Sequence, residues 1–178
     1  MIQMMAIDTG SPSLPSNGLR QSKPRGTWHS DMIALHPDFK DFLRLLNSHD
    51  VEYLVVGGDA VGYHGYPRTT GDLDIWIAVG QANAGKAASV LREFGMPATE
   101  VTTALFLEPD KIIRMGVPPV RIEVLTGVSG VQFDECYQRR NNVLVDGIPV
   151  KFISLSDLKI NKLAAGRHKD LEDLDHLH

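Results

Sequence analysis

The chain has 178 residues, 43% of them apolar and 22% charged, which suits one domain with a substantial core. Eighteen basic residues stand against 22 acidic ones, and the formal charge of -4 argues against a protein that coats polyanions through net charge. The single cysteine, Cys136, excludes a disulfide framework and a zinc site built on several cysteines, and reads as a small core residue.

Residues 1–31 are expected to form a flexible arm. Their "TGSPSLPSNG" and "SKPRGTWHS" stretches have no hydrophobic period and too little apolar surface to order themselves. Trp28 is the one side chain there suited to anchoring on a neighbour, and a natural start at Met32 is the alternative reading. Residues 32–178 are expected to form the folded domain. The start of the chain lacks a secretory pattern, and no apolar run approaches the ~20 residues of a membrane span. A cytoplasmic protein with no membrane partner is the default expectation.

Within the domain, Phe39, Phe42, Leu43 and Leu46 recur at helical spacing behind Pro37, which fits a first helical position. "EYLVVGG" predicts a short buried strand over Glu52–Gly57, followed by a short helix from Asp59 to His64 and a "GYPRTT" loop. "DLDIWIAV" is a second strand. "QANAGKAASVLREFG" is a helix burying Ala84, Ala87, Ala88 and Leu91, stopped by Gly95 and Pro97. "KIIRMG" and "VRIEVLT" are strands joined by a "VPP" turn, and "VQFDECYQRR" looks helical. "NNVLVDGIPVKFI" predicts a hairpin turning at Asp146-Gly147. Ser154 and Asp157 form a capping-box pattern opening "SLSDLKINKLAAG", and a last helix places Leu171, Leu174 and Leu177 on one side. This order predicts an α/β (α+β) fold, one mixed β-sheet flanked by helices.

The chemistry concentrates in "GGDAVGYHGYPRTTGDLDIWI". Residues i and i+2 of a strand share a face, so Asp72 and Asp74 project together. Two such carboxylates do not both ionise without a cation between them, and hard oxygen donors suit Mg²⁺ or Mn²⁺. Taken alone, a bare Asp-x-Asp is more often a pair of water-exposed strand residues. Three neighbours raise the odds of a site: Gly57-Gly58, where missing side chains let backbone N–H groups reach a phosphate; Arg68, Thr69 and Thr70 just before the pair; and Glu123 inside a later apolar strand. A salt bridge from Arg121 to Glu123 competes with a metal-binding role for Glu123.

Together these motifs resemble the DNA polymerase beta-like nucleotidyltransferase superfamily, whose signature is a strand-end Gly-Gly or Gly-Ser, about a dozen residues, Asp-hydrophobic-Asp, and a third carboxylate on a later strand. The stretches "GGDAVGYHGYPRTTGDLDIWI", "MGVPPVRIEVLT" and "DLKINKLAAGRHKDLEDLDHL" are similar to small bacterial members akin to toxins of abortive-infection systems. The resemblance implies a nucleotidyltransferase fold over roughly Asp50–Leu177. It implies that Asp72 and Asp74 bind Mg²⁺ or Mn²⁺ and hold an NTP triphosphate. Glu123 takes the third position, ligating the metal and helping an acceptor hydroxyl lose its proton. Gly57 and Gly58 hug the phosphates, with Arg68 and Thr70 nearby and Lys162 reaching the triphosphate. Arg167 and Lys169 are weaker candidates, and Lys169 is expected to pair with Asp173. Asp170 is expected to tie down the chain between the last two helices, and His64 to cap a carbonyl.

The chain departs from the pattern twice: Gly58 stands where many members have Ser, and Glu123 where Asp is usual. The expected reaction is transfer of a nucleotidyl group from an NTP to a hydroxyl of RNA or tRNA, a protein or a small molecule. A homodimer or a cognate antitoxin is the expected partner. The alternative is a catalytically degenerate nucleotide-binding or protein-interaction module, one half of a toxin–antitoxin pair.

Overall fold

The computed structural model describes residues 35–68, 70–117 and 119–178. The expected arm, residues 1–31 with Trp28, lies outside the described residues, as does Thr69. In chain order the elements are α1 (Pro37–Ser48), β1 (Tyr53–Val55), α2 (Gly57–Tyr63), β2 (Asp72–Ile77) and α3 (Gln81–Glu93). A 3-10 turn at Thr103–Phe106 precedes β3 (Ile112–Val117) and β4 (Val120–Leu125). Then come α4 (Phe133–Gln138), β5 (Asn141–Val145), β6 (Ile148–Phe152), α5 (Leu155–Ala165) and α6 (His168–His176).

The six strands form one sheet in the order β3-β4-β2-β1-β6-β5. The β1/β6 and β2/β4 pairs are parallel and the others antiparallel, so the sheet is mixed, as expected. Local chemistry explains the elements. Pro37 starts α1, whose buried residues Phe39, Phe42, Leu43 and Leu46 match the apolar spacing. Asn83 of α3 accepts from the Glu52 N–H at 2.8 Å and donates to the Ala78 carbonyl at 2.9 Å, fastening α3 to both strands at one end of the β1/β2 pair. Asp146 and Gly147 both have positive φ, 50° and 76°, as the tight β5/β6 hairpin turn requires. Ser154 caps α5 by accepting from the Asp157 N–H at 3.2 Å and donating to its carboxylate at 2.7 Å. Gly166 closes the helix in the left-handed conformation, φ 62°.

Strand alternation divides the sheet functionally. Leu73, Ile75 and Ile77 are fully buried with the inward residues of α1 and α3. Asp72, Asp74 and Trp76 face the other way, beneath the second half of the chain.

Two elements differ from the sequence expectation. Helix α2 begins at Gly57, not Asp59, because the glycine pair itself turns into the helix. Helix α6 turns Asp170 and Asp173 inward, each 1% exposed, while Leu171 is 44% exposed; only Leu177, at its end, is fully buried. No helix among the described residues is long and apolar enough to cross a membrane.

Candidate functional site

The site is assembled by register. β2 and β4 lie parallel with Asp74 opposite Glu123 and Asp72 opposite Arg121. Opposed residues share a face, so the three carboxylates from two distant stretches stand together. Arg114 of β3 lies opposite Glu123 on the same face.

At the neighbouring end of β1 the chain turns into α2. Gly57 has φ 62°, and a Cβ there would fall inside the Asp74 carboxylate. Its missing side chain is therefore what allows the turn and the aspartate to touch. Gly58 is packed just as tightly. A Cβ on it would collide with the Thr70 methyl and lie 3.2 Å from the Arg68 guanidinium. Thr70 and Arg68 thus fill the space that a serine would claim at position 58.

Cations balance the acids unevenly. The Arg121 guanidinium lies 2.6 Å from Asp72 Oδ2 and 3.2 Å from Glu123 Oε1, and Arg114 lies 2.9 Å from the same Glu123 oxygen. The competing ion pair weighed from the sequence is therefore present, and it reaches further than expected by spanning Asp72 as well. Asp74 receives less relief. Burial, then repulsion from Glu123 and Asp72, pushes its carboxyl up to about 6, against the pull of Lys162 and Arg167.

Asp59, which the sequence reading passed over, belongs to the same cluster. Thr70 donates to its Oδ1 at 3.2 Å, but Oδ2 is buried with no partner among the described residues. Burial first, and the Asp74 charge second, push its carboxyl up to about 7. The available signal was its position directly after Gly57-Gly58. An acidic residue there faces whatever the glycines face.

A second charged group lies behind the first. Lys162 is 3% exposed, its ammonium 2.7 Å from Asp170 and 2.8 Å from Asp173. Arg68 grips Asp173 through two hydrogen bonds, of 2.9 and 3.1 Å, and Arg167 pairs with Asp170 at 2.6 Å. Lys162, expected to reach a ligand, is instead enclosed by two carboxylates that leave it no free approach. Asp173 is held by Lys162 and Arg68 rather than by Lys169. Asp170 ties α5 to α6, and His64 Nε2 lies 2.8 Å from the Ile153 carbonyl, both in keeping with the sequence reading.

The fit of a divalent ion is a matter of donors and space. The donors are all oxygens, as Mg²⁺ or Mn²⁺ requires. The raised Asp74 carboxyl and the orphaned Asp59 oxygen are the positions where positive charge is lacking. No ready-made group of three His, Cys, Asp or Glu ligands exists among the described residues. Arg121 stands between Asp72 and Glu123 instead. The donor types suit such an ion, while the Arg121 guanidinium occupies the space between Asp72 and Glu123.

This mixed sheet, with helices on its faces, is the fold of nucleotidyltransferase-like proteins. A family model described as "Nucleotidyl transferase of unknown function (DUF2204)" matches residues 36–178, and the chain belongs to that family. Among solved structures, a candidate nucleotidyltransferase from Thermotoga maritima is 17% identical. The match covers 83% of this chain and 96% of that one, with a TM-score of 0.56. An antigenic nucleotidyltransferase-like protein from Paracoccidioides brasiliensis is 18% identical over 78% of this chain and 72% of that one, with a TM-score of 0.49. None of the curated proteins matches the chain.

Proposed function

We propose that the protein is a metal-dependent nucleotidyltransferase that moves a nucleotidyl group from an NTP to an acceptor hydroxyl. The observation that carries this reading is the register of Asp74 with Glu123, which gathers three carboxylates against the glycine turn. Asp72 and Asp74 are the residues to hold Mg²⁺ or Mn²⁺, with Glu123 completing the set. A bound divalent ion supplies Lewis acidity and offsets the charge that builds on the reacting phosphate.

The remaining work falls to the chain itself. Gly57 and Gly58 present backbone N–H groups to the triphosphate at a distance that side chains would prevent. Arg68 lies over that turn, and Thr70 provides a hydroxyl beside it. Glu123 accepts the proton as the acceptor oxygen bonds to the α-phosphorus; the bond to the β-phosphate oxygen breaks and pyrophosphate leaves. Lys162 acts from behind, fixing Asp173 and through it Arg68.

The Arg121 bridge favours a second reading, a nucleotide-binding or protein-interaction module that has lost the reaction, with a cognate antitoxin as its partner. One experiment separates them. NTP labelled at the α-phosphate is incubated with Mg²⁺ and cell extract, using wild type and the Asp72→Asn/Asp74→Asn double variant. Label on RNA, protein or a small molecule with wild type alone supports the enzyme. Nucleotide binding without transfer supports the module.

A further inference from the structure

The four carboxylates around the glycine turn divide into two pairs. Arg121 bridges Asp72 and Glu123, and Arg114 bonds the same Glu123 oxygen. Asp59 and Asp74 have no bonded cation among the described residues. The cations whose charge reaches Asp74, Lys162 and Arg167, are themselves bonded to Asp170 and Asp173. Arg68, whose charge reaches Asp59, is committed to Asp173 through two hydrogen bonds.

The second pair is brought together by the turn itself. Asp59 lies in the first turn of α2, two residues after Gly57. The Asp74 carboxylate reaches that turn because Gly57 has no side chain in the space that Asp74 Oδ2 takes. Among neighbouring acids, Asp59 feels the charge of Asp74 more than that of Asp72. Thr70 donates to Asp59 Oδ1 at 3.2 Å, which orients the carboxylate and leaves Oδ2 buried and unbonded among the described residues. A buried carboxylate oxygen without a donor costs free energy until a positive group meets it.

Ionised together, Asp59 and Asp74 carry the charge that one divalent ion cancels. Mg²⁺ is ordinarily held by one or two carboxylates, with water and substrate phosphates completing its shell, so this pair suffices. A hydrogen bond to the second oxygen is the usual device for orienting such a ligand.

We propose that Asp59 is a further cation ligand of this site, holding a divalent ion together with Asp74, away from the space that the Arg121 guanidinium fills. The ion's task rests on the nucleotidyltransferase reading; its binding does not.

Mn²⁺ binding to the full chain is measured by electron paramagnetic resonance at pH 8 without NTP, for wild type, Asp59→Asn and Asp72→Asn/Asp74→Asn. Asparagine keeps the shape of the side chain and an oxygen for Thr70. Its substitution is expected to weaken Mn²⁺ by about tenfold or more, and the double variant should bind none. A wild-type crystal soaked in manganese chloride gives a reading that needs no variant, and its anomalous peak should touch both Asp59 Oδ2 and the Asp74 carboxylate. A peak that leaves Asp59 bare, or an Asp59→Asn chain that binds Mn²⁺ as wild type does, overturns the assignment and leaves the Asp72–Asp74 metal reading standing. A wild-type chain that binds no Mn²⁺ overturns it whatever labelled NTP shows. Binding that depends on Asp59 in a chain that transfers no label supports the ligand and sinks the enzyme.

Discussion

Asp59 and Asp74 ionise reluctantly because both are buried beside other carboxylates, Asp59 facing the charge of Asp74, and Asp74 those of Glu123 and Asp72. Their folded-state values, about 7 and about 6, lie above the ~4 of an unfolded aspartate. The folded chain therefore keeps protons that the unfolded chain has released. The resulting stability is complete below pH ~4 and is lost as pH rises through about 6 and 7. Replacing Asp59 with Asn keeps the hydrogen-bonding shape without the charge. We expect Asp59→Asn to flatten the fall in urea stability between pH 5 and 8 and to exceed wild type at pH 8 by about 1–3 kcal/mol. A variant weaker than wild type at pH 8 would mean that the carboxylate is already balanced. Gly57 makes the opposite case. Gly57→Ala forces a Cβ into the Asp74 carboxylate at a positive φ, so a loss of about 1–3 kcal/mol should appear together with the loss of any transfer activity. Full activity in the alanine variant would show that Asp74 has room to step aside, and that the contact does not set its position.

The α5–α6 pair shows how far local pattern carries and where it stops. Capping residues, the apolar period of α1 and the Asp146-Gly147 turn act within a few residues, and each is legible from the chain alone. The inward face of α6 is different. Three leucines at helical spacing suggest the buried side, yet Asp170 and Asp173 take it, because Lys162 and Arg68 bring their own charges to meet them. Arg68 lies 105 residues before Asp173, and no periodicity within a helix can report a partner that distant. The same geometry converts Lys162 from an expected ligand contact into a brace. Lys162→Met keeps the stem and removes the ammonium, leaving two buried carboxylates to Arg68 and Arg167. Breaking a buried pair costs ~3–5 kcal/mol, and the remaining arginines place this case near the lower end. Chemical denaturation should register a loss of about 3 kcal/mol, with α6 amides exchanging fastest. An unchanged midpoint would show that Arg68 and Arg167 neutralise both acids unaided.

The topology decides what the separate motifs mean. Asp72 and Asp74 announce a shared face through strand alternation, but Glu123 joins them only because β4 lies parallel to β2 in that register. A shift of one residue would send Glu123 into the core. Spacing alone could not choose between a carboxylate cluster and an Arg121–Glu123 pair, and the folded chain holds both in one place. Their coexistence sets guanidinium against divalent ion for the same oxygens. If Mn²⁺ binds the folded chain alone, a concentration 100 times its Kd adds ~2.7 kcal/mol, equivalent to a rise of roughly 5–10 °C in Tm for a chain of this size. The rise should grow with pH from 6 to 8 as Asp74 gives up its proton. It should disappear in Asp72→Asn/Asp74→Asn. Arg121→Gln removes the competitor, so its metal-free Tm should drop while its Mn²⁺-induced rise exceeds that of wild type at equal metal. If Mn²⁺ moves neither protein at pH 8, the carboxylates belong to the arginines and the ion has no place among them.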